Sequence, residues 1–183
     1  MEELFVTKFG KILAAIAVLV IGAFTLVSCG SYNFYSDWKN AGADIEKENI
    51  YEAVTLDNAK QKIDNDETFV LLLGTSEASG AARTITNLQS QADYFGFDKK
   101  LYFVDCTIYL SKTADRKNLN QTLGIYDASQ ISNNIVIVCY NSGDIIMDTS
   151  KKTTDSSLEN FVTDSSIDYY KIASYLFNDF IFE

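Results

Sequence analysis

The sequence of 183 residues contains no histidine and no proline. The absence of histidine excludes Ser-His-Asp and Cys-His catalysis, zinc sites with histidine ligands, and the side chain that most often moves protons at neutral pH. The absence of proline means that a fold which normally carries a cis-proline must build that turn from other residues. Most classes of hydrolase are therefore excluded before any motif is considered.

Basic residues are scarce relative to acidic ones, with 15 Lys and Arg against 25 Asp and Glu, which gives a net charge of −10. Binding to nucleic acid phosphates requires a basic surface, so no nucleic acid partner is expected. The hydrophobic share of 47% is sufficient for one core, and the length is that of a single domain of ordinary size.

The first thirty residues have the layout of a secretory signal. Lys8 and Lys11 precede an uninterrupted apolar run over residues 12–27, which ends in the sequence Leu-Val-Ser-Cys-Gly. A cysteine directly after Leu-Val-Ser resembles the bacterial lipoprotein signal, in which the cysteine is lipidated and becomes the N-terminus. The resemblance implies that residues 1–28 are a signal peptide and that lipid on Cys29 holds the protein on the extracellular face of the cell membrane.

An uncleaved transmembrane anchor is the alternative interpretation of this segment. Its 16 apolar residues fall between a typical signal core and the roughly 20 residues that span a bilayer. Both interpretations put residues 30–183 on the outer side of a membrane. An acidic domain does not bind anionic lipid by itself, so the lipid or the span would be its attachment.

Residues 29–48 are predicted to be the lipidated N-terminus and a tether, because Ser, Asn, Gly and charged residues mix there without a clear period. The aromatic residues of this stretch would either contact a partner or the membrane interface, or fold back onto the domain. We favour folding back. They are Tyr32, Phe34, Tyr35 and Trp38.

Residues 49–183 show apolar patterns that switch between strand and helix periods. Apolar runs predict strands over residues 50–55, 68–73 and 101–108, and a hairpin over residues 135–147. Helical spacing predicts a helix after Thr55, one from Ala81 to Phe95, a short one that ends at Gly124, and a last one over residues 166–182. This alternation indicates an α/β fold with helices on both faces of one sheet.

The order of these elements, with the residues around Gly74 and the terminal hairpin, resembles the thioredoxin fold. Residues 51–162 look most like the bacteriocin-accessory-type thioredoxin-like proteins of Gram-positive bacteria. The resemblance implies a three-layer α/β/α sandwich with a mixed central sheet. In that family a strand ends in glycine, three residues follow, Cys-x-x-Cys opens a helix, and a Thr-Pro precedes a later strand.

The positions that carry the family's chemistry hold other residues here. Residues 78–81, with Ala78 and Ala81 at the ends, replace Cys-x-x-Cys, and a register shifted by two gives Ser76 and Ser79. Residues 132–134 replace the segment with cis-proline. Dithiol exchange needs an attacking thiolate and a resolving thiol, so neither register supports it. The resemblance implies a candidate binding loop formed by Thr75, Ser76, Glu77, Ser79, Gly80, Asn133 and Asn134.

The remaining cysteines, Cys106 and Cys139, are expected to be buried free thiols. In the family's sheet another strand would separate them by roughly 10 Å, and a disulfide requires Cα atoms within about 7 Å. No cofactor or metal is expected, because residues 74–80 lack the spacing and the lysine of a phosphate loop. Residues 64–67 likewise lack the length and the glycine of a calcium loop.

The expected function is that of a lipid-anchored extracellular lipoprotein whose redox-inactive thioredoxin-like domain is a binding or structural module for a protein or peptide partner. No catalytic residue is predicted. Two alternatives stay open. One is a thiol-disulfide oxidoreductase whose cysteines are replaced by Ala78 and Ala81, by natural decay or by engineering. The other is a subunit of a membrane complex that docks through its C-terminal helix.

Overall fold

A mixed five-stranded sheet forms the centre of the domain. The computed structural model describes residues 32–164 and 166–180, and the described residues from Asn33 onward belong to one compact unit. The strands are Tyr51–Ala53 (β1), Phe69–Gly74 (β2), Leu101–Asp105 (β3), Val136–Asn141 (β4) and Asp144–Asp148 (β5). They lie in the order β1-β3-β2-β4-β5. Strand β3 is parallel to β1 and β2, whereas β4 is antiparallel to β2 and β5 is antiparallel to β4.

Helices connect and cover these strands. The α-helices of the described residues are Phe34–Asn40 (α1), Leu56–Asp64 (α2), Ala81–Phe95 (α3), Thr107–Leu110 (α4), Thr113–Leu123 (α5) and Tyr169–Ser174 (α6). A π-helical turn, Tyr175–Asp179, continues α6, and 3-10 turns occupy Ala128–Ser132 and Ser156–Phe161. A two-stranded ribbon joins Val162–Thr163 (β6) to Ser166–Ile167 (β7).

Strand β2 is buried along its whole length because helices cover both faces of the sheet. Leu71 and Leu73 point to the face that α2 and α5 cover with Ala59 and Leu119. The register puts Leu72 beside Phe103, and the rings of α1 pack against Phe103 on the opposite face. Helix α3 lies on that face too, because the Tyr51 hydroxyl of β1 donates a hydrogen bond to an α3 carbonyl. The prediction of a mixed α/β fold is thus confirmed.

The capping and turn residues predicted from the sequence lie at the observed ends of the helices and strands. The hydroxyl of Thr55 accepts a hydrogen bond from Asn58 N at 3.1 Å and so caps α2. Gly124 ends α5 with a φ of +69°, in the left-handed region. Ser142 and Gly143 both have positive φ between β4 and β5, which is the geometry of a tight two-residue hairpin turn.

The described part of the predicted tether is folded against the domain. Asn33 caps α1, and Phe34 and Trp38 of this helix are buried, with Trp38 0% exposed. Farther along, Asp44 N donates a hydrogen bond to the Thr86 hydroxyl of α3 at 2.8 Å. Phe34 and Trp38 therefore fold back onto the domain, and residues 33–48 do not extend away from it as a tether.

The C-terminal segment differs from the single helix predicted over residues 166–182. Residues 166–167 form strand β7 instead, and α6 begins only at Tyr169, after the Asp168 cap. Helix α6 packs against α3 and buries Ile172 and Ala173, the π-helical turn after it buries Leu176, and Tyr170 is 66% exposed. The apolar side of α6 thus packs on α3.

Several predictions fall on residues that the structure does not describe. The signal peptide over residues 1–28, the lipidation at Cys29, and Ile181 and Phe182 of the last helix lie outside the described residues. Within the described residues, no helix is both long enough and apolar enough to cross a membrane.

Candidate functional site

The site begins at Gly74, the last residue of the central strand β2. A Cβ added at Gly74 would overlap the Cδ1 atom of Ile135 and lie 3.2 Å from Cε2 of Phe103, and both side chains are buried. The carbonyl of Gly74 also accepts a hydrogen bond from Cys106 N at 2.8 Å. Glycine is therefore required here by the close packing of the segment that precedes β4.

Thr75 organises the loop that follows. Its buried hydroxyl is 2.8 Å from the hydroxyl of Thr107, which donates to the Asp105 carboxylate at 2.6 Å. The same Thr75 hydroxyl accepts a hydrogen bond from Glu77 N at 3.3 Å, and the Thr75 carbonyl accepts one from Ala78 N at 3.2 Å. These bonds fix the loop against the end of β3.

The two alanines of the degenerate motif are buried at the start of α3. Ala78 is 6% exposed and Ala81 is 0% exposed, and Ala81 N donates a hydrogen bond to the Ala78 carbonyl at 3.1 Å. Ser76 is half-buried, and Glu77 and Ser79 are exposed. A methyl group has no acid-base or redox chemistry, so the two motif positions supply neither a nucleophile nor a thiol.

The second predicted loop lies directly beside the first one. The Thr84 hydroxyl of α3 donates a hydrogen bond to Asn134 Oδ1 at 2.8 Å. A Cβ added at Gly80 would lie 3.2 Å from both Asn133 O and Asn134 Nδ2. The structure thus brings together the residues that the sequence assigned to one candidate binding loop. Within residues 32–164 and 166–180, no peptide bond is cis.

The main chain around Asn134 is occupied by hydrogen bonds within the protein. The N–H groups of Asn133 and Asn134 both donate to the Gln130 carbonyl. Ile135 N donates to Asn134 Oδ1 at 2.8 Å, and Ile135 O accepts a bond from the Tyr169 hydroxyl at 2.8 Å. These groups are therefore not free to pair with the backbone of a bound peptide.

Three residues near the loops were not predicted from the sequence. Tyr169 anchors the start of α6 to Ile135, and burial raises the pKa of Tyr169 to about 12. Ile108 and Tyr170, which follow Thr107 and Tyr169, are 70% and 66% exposed. Ile108 and Tyr170 were missed because sequence periodicity does not show which large apolar side chains remain exposed beside a polar loop.

Both described cysteines are free and buried, as predicted, and neither belongs to the site. Cys106 follows β3, Cys139 lies in β4, and β2 separates these two strands. Burial raises the pKa of both thiols, so neither forms the thiolate that exchange chemistry requires.

The described residues contain no group of three or more carboxylate or thiol side chains arranged to hold a metal ion. Four acidic residues line a groove of about 220 Å³ beside α3. Its carboxylates are spread along an open surface, and Asp44 is paired with Lys39 at 3.3 Å. The groove is lined by Asp44, Ile45, Glu46, Glu48, Gln89, Ser90 and Asp93.

Comparison with known proteins adds no family to this description. No family model matches the chain, and no curated protein matches it significantly. The function is therefore argued from the residues and the site alone.

Proposed function

We propose that the domain is a thioredoxin-like sandwich that serves as a redox-inactive binding or structural module. The support for the fold is the strand order β1-β3-β2-β4-β5 with its parallel and antiparallel pairs, as in the family that the sequence resembles. The single observation that carries the loss of redox activity is the burial of two alanines, Ala78 and Ala81, at the position of the thiol pair.

The proposed binding surface consists of the exposed side chains around the two loops. Glu77, Ser79 and Asn133 are exposed there, and Ile108 and Tyr170 add apolar area. Because the N–H groups of residues 133–135 and the Ile135 carbonyl are internally bonded, recognition would depend mainly on side chains. An apolar contact beside a polar rim is the usual composition of a protein interface, so the proposed partner is a protein or peptide.

The proposal is completed by a lipid on Cys29, which would hold the module at the outer face of the cell membrane. Intact-mass and peptide-level mass spectrometry on protein extracted from its native membrane tests this part. We expect an N-terminal acylated Cys29 followed by Gly30. An intact N-terminal segment from Met1 would contradict the lipoprotein signal and support the membrane-spanning alternative.

Capture of a partner protein tests the proposed binding surface. Crosslinking on intact cells, followed by affinity purification, would compare the parent protein with Glu77→Lys and Asn133→Lys. Glu46→Lys is the matched control, because Glu46 is exposed but lies in the acidic groove and not at the loops. We expect the two loop variants to lose a crosslinked protein that the parent and the control retain. Equal capture by all four proteins would exclude the loops as the binding surface.

A second candidate function is that of an oxidoreductase that has lost its cysteines. It is favoured by the matched pair of alanines, three residues apart, with Ala81 N bonded to the Ala78 carbonyl at the start of α3. The double change Ala78→Cys and Ala81→Cys would restore a thiol pair. Turnover of a model disulfide by this variant, but not by Ser76→Cys with Ser79→Cys, would favour this second function.

A further inference from the structure

Helix α1 is fixed to the domain from its first residue. The side chain of Asn33 accepts a hydrogen bond from Ser36 N at 3.1 Å and so caps the helix. The ring of Phe34 stacks on Tyr51 with a centroid distance of 4.7 Å, and Trp38 is fully buried. The residues that connect the proposed lipid to the folded domain are therefore only those before Asn33.

That connection is short. Three residues separate Cys29 from Asn33, so four Cα-to-Cα steps reach at most about 14 Å. A tether of about 20 residues would have reached several times farther. We infer that the end of the domain at which α1 begins lies directly against the lipid bilayer, an inference that rests on the lipidation proposed above.

The chemistry of α1 suits contact with lipid headgroups. The exported residues keep the whole net charge of −10, because residues 1–28 carry two acidic and two basic side chains. Helix α1 itself is neutral, since Asp37 is balanced by Lys39. Tyr35 on α1 is half-buried, and tyrosine is enriched at membrane interfaces, where its ring and hydroxyl contact different layers. The acidic groove near Asp44 lies beside this helix, so a bilayer of zwitterionic lipid is the appropriate surface for the test.

The opposite face of the sheet provides a reference position. Helix α5 packs there through Leu119 and Leu123, and Asn118 on its outer side is exposed. Two layers of packing separate α1 from α5, which is about 20 Å. A probe at Asn118 should thus lie well above the headgroups when a probe on α1 is among them.

Fluorescence quenching measures this difference. The full-length chain would be expressed in a bacterium that lipidates its own lipoproteins, and Ser36→Cys and Asn118→Cys would each be labelled with a thiol-reactive fluorophore. Cys106 and Cys139 are buried, and an acylated Cys29 has no free thiol, so each label is confined to one position. The labelled proteins would be reconstituted in phosphatidylcholine vesicles with a headgroup-attached quencher. A third protein carries Ser36→Cys and about 20 Gly and Ser residues inserted after Tyr32.

We expect severalfold stronger quenching of the Ser36 label than of the Asn118 label, and loss of that difference after the insertion. Equal quenching of the two labels, or no quenching at Ser36, would overturn the inference. The intact mass of each reconstituted sample separates the two levels of failure. An acylated protein with an unquenched Ser36 label refutes only the membrane contact. A protein without acyl chains refutes the lipid anchor, and this inference with it.

Discussion

Replacement of Trp38 by alanine should lower the free energy of unfolding by about 3–5 kcal/mol. The indole is 0% exposed and lies edge-on to the Phe103 ring, with centroids 5.5 Å apart. It also lies 5.7 Å from the ring of Phe34, so its removal would leave a cavity between α1 and the sheet. A residue in a solvated tether would instead change the stability by less than about 0.5 kcal/mol.

Guanidinium unfolding followed by circular dichroism is the appropriate assay, because Trp38 is the only tryptophan and its removal abolishes the usual fluorescence signal. Lys39→Ala is the matched control on the same helix. Its ion pair with Asp44 is exposed to solvent, so its loss should cost less than about 1 kcal/mol. If Trp38→Ala unfolds at the denaturant concentration of the parent, α1 is not part of the fold and the membrane-contact argument fails with it.

Three further changes test the site. Thr84→Val should cost about 1 kcal/mol by urea unfolding, because it removes the hydrogen bond to Asn134 while it keeps the size of the buried side chain. Gly74→Ala should cost about 1–3 kcal/mol in the same assay, because the added Cβ overlaps Ile135, and a smaller residue at position 135 should recover part of the loss. Burial raises the pKa of Tyr169 from 10.0 to about 12, so the native state favours the protonated phenol. The resulting stabilisation of the native state is complete below pH 10 and is lost as the pH rises towards 12. The free energy of unfolding of Tyr169→Phe should therefore depend less on pH over this range.

Much of the fold follows from periodicity in the sequence. The continuous apolar run of β2 is what a strand covered on both faces requires, and β2 is the central strand. The steps of three and four residues from Ala81 to Ala92 put their side chains on one buried face of α3. These elements could be predicted because a long strand or helix with buried side chains has a repeated pattern of apolar residues in its sequence.

Short elements leave no such pattern. Helix α1 has seven residues and only two buried side chains, Phe34 and Trp38, so its sequence shows fewer than two turns of helical spacing. The prediction for the C-terminal segment was wrong for another reason: only packing against α3 decides which of its many apolar side chains, such as Ala173 and Leu176, are buried. Tertiary contacts decide both cases, and a single sequence does not contain them.

The candidate site could be located from the sequence because glycine marks the end of β2, but its properties depend on contacts between segments distant in the chain. Thr84 and Tyr169 hold the loop before β4 from two different helices, 50 and 34 residues away from their partners. The bond from Tyr169 occupies the Ile135 carbonyl, a main-chain group with which a peptide backbone could otherwise pair. The proposed function therefore assigns specificity to the exposed side chains around these strand ends, and Glu77 and Tyr170 are the residues with which a search for the proposed partner should begin.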